Sequence, residues 1–131
     1  MLCGGADAVT SGTAQASRDW LASGRANLLA WWLPQAGIVA GLLVPVGTRA
    51  AIWIVALAWM GVACLLNARR CGRTHCRYTG PYYLAMTLPV LVLGTVSAST
   101  GLLEWIALGA CILAGGKLLW WATERAWGKF R

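Results

Sequence analysis

Four long stretches with almost no charged side chains dominate this sequence of 131 residues. The stretch 26–48 has none, and a helix of that length is about 34 Å long, enough to cross a hydrocarbon core about 30 Å thick. The fourth stretch contains only Glu104 and Lys117. The pattern predicts an all-α integral membrane protein, a bundle of four transmembrane helices at about 26–48, 50–68, 80–100 and 102–122.

The composition supports lipid rather than water as the surrounding medium. Hydrophobic residues make up 59% of the chain and charged residues 11%, whereas a soluble domain has about 25% charged residues. A small soluble domain has a large surface that so few charges cannot cover. The net charge of +7 would favour nucleic-acid binding only if the basic residues formed one face. Here the basic residues lie in the segments between the apolar stretches. We therefore expect the lipid bilayer, and no nucleic acid, as a partner.

The segments outside the four stretches are short. We predict a polar N-terminal tail or interfacial helix over 1–25, a loop rich in Cys, His and Arg over 69–79, and a basic C-terminal tail over 123–131. Pro45 and Gly47 predict a turn after the first helix. The small residues at 97–101 predict a tight turn before the fourth.

The basic residues predict the orientation, because Lys and Arg accumulate in cytoplasmic segments. The turn after the first helix has only Arg49, and the turn before the fourth has no basic residue. Both termini and the middle loop are therefore expected in the cytoplasm, in a multi-pass protein of the cell inner membrane. The basic residues on that side are Arg18, Arg25, Arg69, Arg70, Arg73, Arg77, Arg125, Lys129 and Arg131.

Small residues and prolines mark features inside the helices. Gly37 and Gly41 form a small-xxx-small face that permits close helix packing. Its partner is either another helix of this chain, which we favour, or a second copy in a homo-oligomer. Pro34 and Pro89 are expected to kink the first and third helices.

The middle loop combines two thiols with the only histidine of the chain. Cys71, His75 and Cys76 lie within six residues and form a soft ligand set. The spacing does not match a zinc finger and lacks a fourth ligand, whereas Hg(II) or Cu(I) needs only two thiolates. We expect Gly72 to make the segment flexible and the flanking arginines to lower the thiol pKa values.

Three further cysteines lie outside this loop. Cys64 shares a helical face with Cys71 and His75 if the second helix continues past the membrane surface, unless Gly72 ends it first. Cys111 lies in the middle of the fourth helix, where a thiol is either a metal ligand or a small hydrophobic side chain. Cys3 is expected to be incidental.

The layout and the thiols of Cys71 and Cys76 resemble the small inner-membrane transporters of bacterial mercury-resistance operons. That resemblance implies passage of Hg(II) between cysteine thiols toward a cytoplasmic metal-accepting protein or reductase. Such transporters typically have a vicinal cysteine pair in the first helix, and this sequence has no cysteine there. Cys64 and Cys111 would then be intramembrane stations, with Cys71, His75 and Cys76 as the release site.

The leading hypothesis is therefore a transporter of a soft thiophilic ion, Hg(II) before Cu(I), and not an enzyme. One alternative is a membrane thiol-disulfide oxidoreductase that cycles Cys71 and Cys76 with His75 as base. Another is a non-catalytic membrane subunit or assembly factor. A single histidine excludes bis-histidine haem. The four acidic residues are scattered without a partner base, which argues against hydrolysis.

Overall fold

The computed structural model describes residues 13–14, 16–96 and 101–128, and these ranges are mostly helical and contain no strand. A short 3₁₀ turn, Trp20–Ala22, precedes the main helices. Three features of the sequence prediction fall at least partly outside the described ranges. These are Cys3, residues 97–100 of the predicted turn and the tail residues 129–131. The helices are α1 (Gly24–Asn27), α2 (Leu33–Gly41), α3 (Val46–Cys71), α4 (Thr74–Ala85), α5 (Thr87–Val96) and α6 (Leu102–Trp127), and a π-helical turn, Leu28–Trp32, joins α1 to α2.

The first predicted helix is shorter than expected, because α2 ends at Gly41. Val44 precedes a proline, which disfavours helical backbone at that position. The guanidinium of Arg49 donates hydrogen bonds to the carbonyl oxygens of Gly41, Leu42 and Val44 over 3.0–3.1 Å. Arg49 therefore satisfies carbonyl groups that a helix end leaves without partners, and it holds the turn between α2 and α3.

Helix occupies nearly all of the segment 69–79, which the sequence predicts as a loop. Helix α3 continues to Cys71, and α4 begins at Thr74. The chain reverses at Gly72, whose φ of 68° lies in the left-handed region that glycine adopts without a steric penalty. Gly72 thus ends α3, as the sequence allowed, but it makes a tight corner instead of a flexible loop.

The third predicted helix, 80–100, is divided into α4 and α5 at Met86. Pro89 explains the break, because proline has no N–H to donate to the carbonyl four residues earlier, at Ala85. In the first segment, Pro34 is the second residue of α2 and lies two residues after the π-helical turn ends at Trp32. The fourth helix, α6, continues to Trp127, five residues beyond the predicted end.

Two helices, α3 and α6, are long and apolar enough to cross a membrane by length and composition. Four were expected, and the difference lies in the π-helical turn and the break at Met86, which divide the other two segments into shorter helices. Many large apolar side chains face outward, among them Val55, Leu88 and Leu103, which are 68%, 64% and 77% exposed.

Close contacts between helices occur at glycines. A Cβ atom on Gly61 of α3 would lie 3.0 Å from the carbonyl oxygen of Gly80 in α4, so these helices cross almost backbone to backbone. A Cβ atom on Gly41 would lie 2.7 Å from Nε1 of Trp53. The Gly37 and Gly41 face therefore packs on α3 of the same chain, the partner that we favoured.

The two ends of the bundle differ in charge. At one end, Arg73 forms ion pairs with Asp19 and Glu124, which brings together the start of the described chain, the α3–α4 corner and the end of α6. At the other end, Arg49 lies 5.3 Å from the ring centre of Trp105. The basic residues that share the Arg73 end by their position in the helices include Arg18, Arg25, Arg69, Arg70, Arg77 and Arg125.

Candidate functional site: a buried cysteine and histidine cluster

Two thiols meet in the core at the Arg73 end of the bundle. Cys64 of α3 and Cys76 of α4 lie next to each other in the core. Their side chains are buried, at 1% and 0% exposure. Cys64 Sγ also lies 3.4 Å from Trp31 Nε1 and 3.6 Å from Thr79 Oγ1. The pair is therefore fixed by three helical segments, and both thiols are free rather than joined in a disulfide.

His75 connects this thiol pair to a carboxylate. Its Nε2 lies 3.3 Å from Cys76 Sγ, and its Nδ1 lies 2.7 Å from Glu124 Oε1. Burial lowers the pKa of His75, and the hydrogen bond to Glu124 offsets only part of that effect. The imidazole is therefore neutral at pH 7, with its proton on Nδ1 toward the carboxylate. Nε2 is left as an acceptor for the thiol proton of Cys76.

A buried ion network surrounds the histidine. Arg73 Nε donates to Glu124 Oε1 over 2.9 Å, and its Nη1 pairs with Asp19. Burial acts to lower the pKa of Arg73, but the hydrogen bonds to Asp19 and Glu124 together raise it. Asn67 Nδ2 donates to Asp19 Oδ1 over 2.9 Å and lies 3.6 Å from Cys76 Sγ. The network thus holds both the histidine and the thiol in place.

Cys71 takes a different position from the one predicted. Its thiol donates to the backbone carbonyl of Asn67 over 3.1 Å and is buried at the end of α3. The structure therefore places Cys76 beside Cys64, which lies seven residues, or about two helical turns, before the predicted partner Cys71. Gly72 ends α3 after Cys71, so Cys64 and Cys71 share this helix, whereas His75 lies on α4 and is not on the common helical face that was considered from the sequence.

The arginines do not activate the Cys76 thiol as expected. Arg69, Arg70 and Arg77 are exposed, and the charge of Arg73 is matched by two carboxylates. The neighbouring Cys64 thiol and burial both raise the pKa of Cys76. The thiol is therefore protonated in the absence of a bound ion, so the prediction of lowered thiol pKa values is wrong for this residue.

Cys111 is not part of the cluster. It is exposed on α6, and its backbone carbonyl accepts a hydrogen bond from Tyr82 Oη over 2.9 Å. Its role as an intramembrane metal station stays a prediction.

The acidic members of the cluster are not predicted by the sequence pattern. Asp19 and Glu124 lie 105 positions apart in the chain, and yet both contact Arg73. The statement that no acidic residue has a partner base is wrong, because Glu124 binds His75. One signal was available, since the predicted topology places residue 19, the middle loop and the end of the fourth helix on the same side.

The ligand set for a metal ion is small. Within the described ranges, no group of three or more His, Cys, Asp or Glu side chains is arranged to hold a metal ion. The site therefore offers the two thiols of Cys64 and Cys76 with a neighbouring imidazole, a set that suits an ion satisfied by two soft ligands.

A cavity of about 400 Å³ borders the cluster. Trp31 and Thr79, which contact Cys64, form part of its wall, as does His75, which contacts Cys76. The other lining residues are Asn27, Trp32, Gln35, Tyr83, Leu113, Gly116, Lys117 and Trp120. The cavity therefore reaches the residues that surround the thiol pair.

No protein-family model matches the chain, and no solved structure matches it. The chain is 32% identical over 97 residues to the E3 ubiquitin-protein ligase MARCHF6 of Mus musculus, and equally to those of Homo sapiens and Pongo abelii. The match covers 71% of this chain but 10% of each ligase. The chain thus spans about a tenth of the length of these curated relatives, and the similarity is to one segment of them.

Proposed function

We propose that this chain is an integral membrane protein that transports a soft thiophilic metal ion, with Hg(II) as the best-fitting ion and Cu(I) as the second. The observation that supports this function is the contact between the buried thiols of Cys64 and Cys76, with His75 beside them. Two facing thiols suit an ion that needs two sulfur ligands. They do not provide the four-ligand site of structural zinc.

The ion would move by thiol exchange. A Hg(II) ion that arrives bound to two small thiolates exchanges them for the sulfur atoms of Cys64 and Cys76. Two mercury–sulfur bonds break and two form, and the protein thiol protons transfer to the departing thiolates, so no oxidant or reductant is needed. Nε2 of His75, 3.3 Å from Cys76 Sγ, is positioned to accept the thiol proton on its way out.

The cavity beside the cluster supports entry of the ion as a complex. Its described lining residues include the cation Lys117 and no carboxylate, and Lys117 Nζ lies 4.4 Å from the ring centre of Trp120. A bare divalent cation would be repelled by this ammonium group. A neutral or anionic complex of the ion with thiols would not be repelled, so the ion would keep sulfur ligands throughout its passage through the apolar interior.

We also propose that the four helical segments cross the cell inner membrane, with the Arg73 end in the cytoplasm. Charge supports this orientation, because the basic residues gather at that end and Arg49 is held by backbone carbonyls at the other. The outward-facing apolar side chains of α3, α5 and α6 support contact with lipid tails. Release then occurs on the side of a cytoplasmic metal-accepting protein or reductase.

This topology can be tested by cysteine labelling. Leu43, in the α2–α3 turn, is 89% exposed, and Arg69 is exposed at the opposite end of α3. On a Cys3→Ser background, we expect Leu43→Cys to react with a membrane-impermeant maleimide in intact cells. Arg69→Cys should react only after the membrane is permeabilised. The reverse pattern would contradict the orientation and place the thiol pair near the outer surface.

The metal site can be tested with a variant that keeps only the proposed ligands. In the full chain in detergent, Cys3, Cys71 and Cys111 are replaced by serine, which leaves Cys64 and Cys76. We expect this variant to bind one Hg(II) in the presence of a small competing thiol, with two sulfur neighbours by X-ray absorption spectroscopy. Failure to retain Hg(II), in a variant with the helical circular dichroism of the wild type, would contradict the proposed site.

The thiol contact also favours a second candidate, a membrane thiol-disulfide oxidoreductase. Two facing thiols can lose two electrons and two protons to a suitable acceptor and form a disulfide. The redox state of the pair in cells separates the two functions. Acid trapping followed by alkylation should find Cys64 and Cys76 reduced in a transporter, whereas an accumulated Cys64–Cys76 disulfide would favour the oxidoreductase.

A further inference from the structure

A second, polar cavity of about 550 Å³ lies at the α3–α4 corner, apart from the thiol pair. Two arginines, Arg73 and Arg77, contribute to its wall, and none of its described lining residues is acidic. Its remaining lining residues are Ala68, Gly72, Thr74 and Tyr78. Because Asp19 and Glu124 match the charge of Arg73, the positive charge of this lining comes from Arg77.

One hydroxyl at this cavity has no partner. Thr74 lines the cavity and is 2% exposed, and its Oγ1 is buried without a hydrogen bond to any described residue. A buried polar atom without a partner costs about 1–3 kcal/mol. Buried polar groups in folded proteins usually have partners, so Thr74 Oγ1 indicates a ligand atom at this position.

The start of α4 adds further donors. Thr74 is the first residue of this 12-residue helix, and no side chain caps its N-terminus. The first N–H groups of a helix have no partner inside the helix, and the helix dipole places partial positive charge there. Because Arg73 and Thr74 line the cavity, this helix end borders it and favours an anion.

The two arginines differ in availability. The charge of Arg73 is matched by Asp19 and Glu124, so Arg73 holds the corner together. Arg77 is exposed one turn further along α4, on a lining without a described carboxylate. Arg77 can therefore donate two parallel hydrogen bonds to an oxyanion.

We propose that this cavity binds a phosphate group, held by Thr74 Oγ1, the first backbone N–H groups of α4 and the guanidinium of Arg77. A phosphate offers the several acceptor oxygens that these donors require. The phosphate belongs either to the headgroup of an anionic phospholipid or to a soluble phosphate. The site is independent of the metal function, because it uses neither Cys64 nor Cys76.

The test uses the full chain in a neutral detergent with two probes. Native mass spectrometry counts bound phosphatidylglycerol, with diacylglycerol, which lacks the phosphate, as the control lipid. Calorimetry measures the binding of inorganic phosphate. The variants are Thr74→Val, Thr74→Ser and Arg77→Gln. The matched control is Arg125→Gln, an exposed arginine that lies 5.1 Å from the Trp121 ring centre and outside the cavity.

We expect one phosphate-bearing ligand per chain and about tenfold weaker binding in Thr74→Val and Arg77→Gln. Thr74→Ser and Arg125→Gln should bind as the wild type does. Retention of phosphatidylglycerol alone identifies a lipid headgroup, and binding of inorganic phosphate identifies a soluble source. If neither probe binds, or if the exposed Arg77→Gln binds as tightly as Arg125→Gln, the proposal is overturned.

Discussion

Replacing Arg73 by methionine is expected to lower the free energy of unfolding by about 3–5 kcal/mol. Arg73 is 6% exposed, and its guanidinium pairs with Asp19 and with Glu124. Removing it leaves two carboxylates near each other without their shared cation. Because burial disfavours an unpaired charge far more than a neutral group, the loss exceeds that of an ordinary surface ion pair. Unfolding by denaturant in detergent micelles, followed by tryptophan fluorescence, would measure it.

Two further variants make this expectation specific. Arg69→Met removes an exposed arginine from the same end of the bundle and should change the free energy of unfolding by less than about 0.5 kcal/mol. Adding Asp19→Asn to Arg73→Met should restore part of the lost stability, because one unpaired carboxylate becomes neutral. If Arg73→Met is as stable as Arg69→Met, the ion network does not stabilise the corner.

Replacing Cys64 or Cys76 by serine is expected to weaken Hg(II) binding by more than about 100-fold. Loss of an outer-shell partner of a metal ligand typically costs about 10–100-fold in affinity, and a lost direct ligand should cost more. Serine offers a hard oxygen in place of a soft thiolate. His75→Gln should cost about tenfold, because His75 lies beside Cys76 but is not needed as a ligand. Competition against a small thiol of known affinity measures each value.

The matched control is Cys71→Ser, which should bind as the wild type does, because that thiol hydrogen-bonds to the carbonyl of Asn67. In cells that express the protein, Cys64→Ser and Cys76→Ser should lose the mercury uptake that the wild type confers, and Cys71→Ser should retain it. Loss of binding in Cys71→Ser with retention in Cys64→Ser would restore the sequence-based ligand pair and exclude the one proposed from the structure.

The sequence was sufficient to predict that the chain is helical and that its candidate site lies near the Cys, His and Arg segment. Charge-free stretches predict helices because an apolar helix satisfies its backbone groups internally. The corner at Gly72 was foreseeable, since glycine adopts the left-handed conformation easily. The clustering of Cys, His and Arg near this corner was also visible in the sequence, because these residues lie within a few positions of one another.

Only the tertiary structure decided which side chains meet. Spacing suggested Cys71 as the partner of Cys76, but α3 and α4 cross closely at Gly61 and Gly80, and this brings Cys64 to Cys76 instead. Glu124 reaches His75 across 49 positions. Local patterns determine helices because their hydrogen bonds join residues four apart. Contacts between helices depend on the crossing of two surfaces, and no periodicity within one segment specifies that crossing.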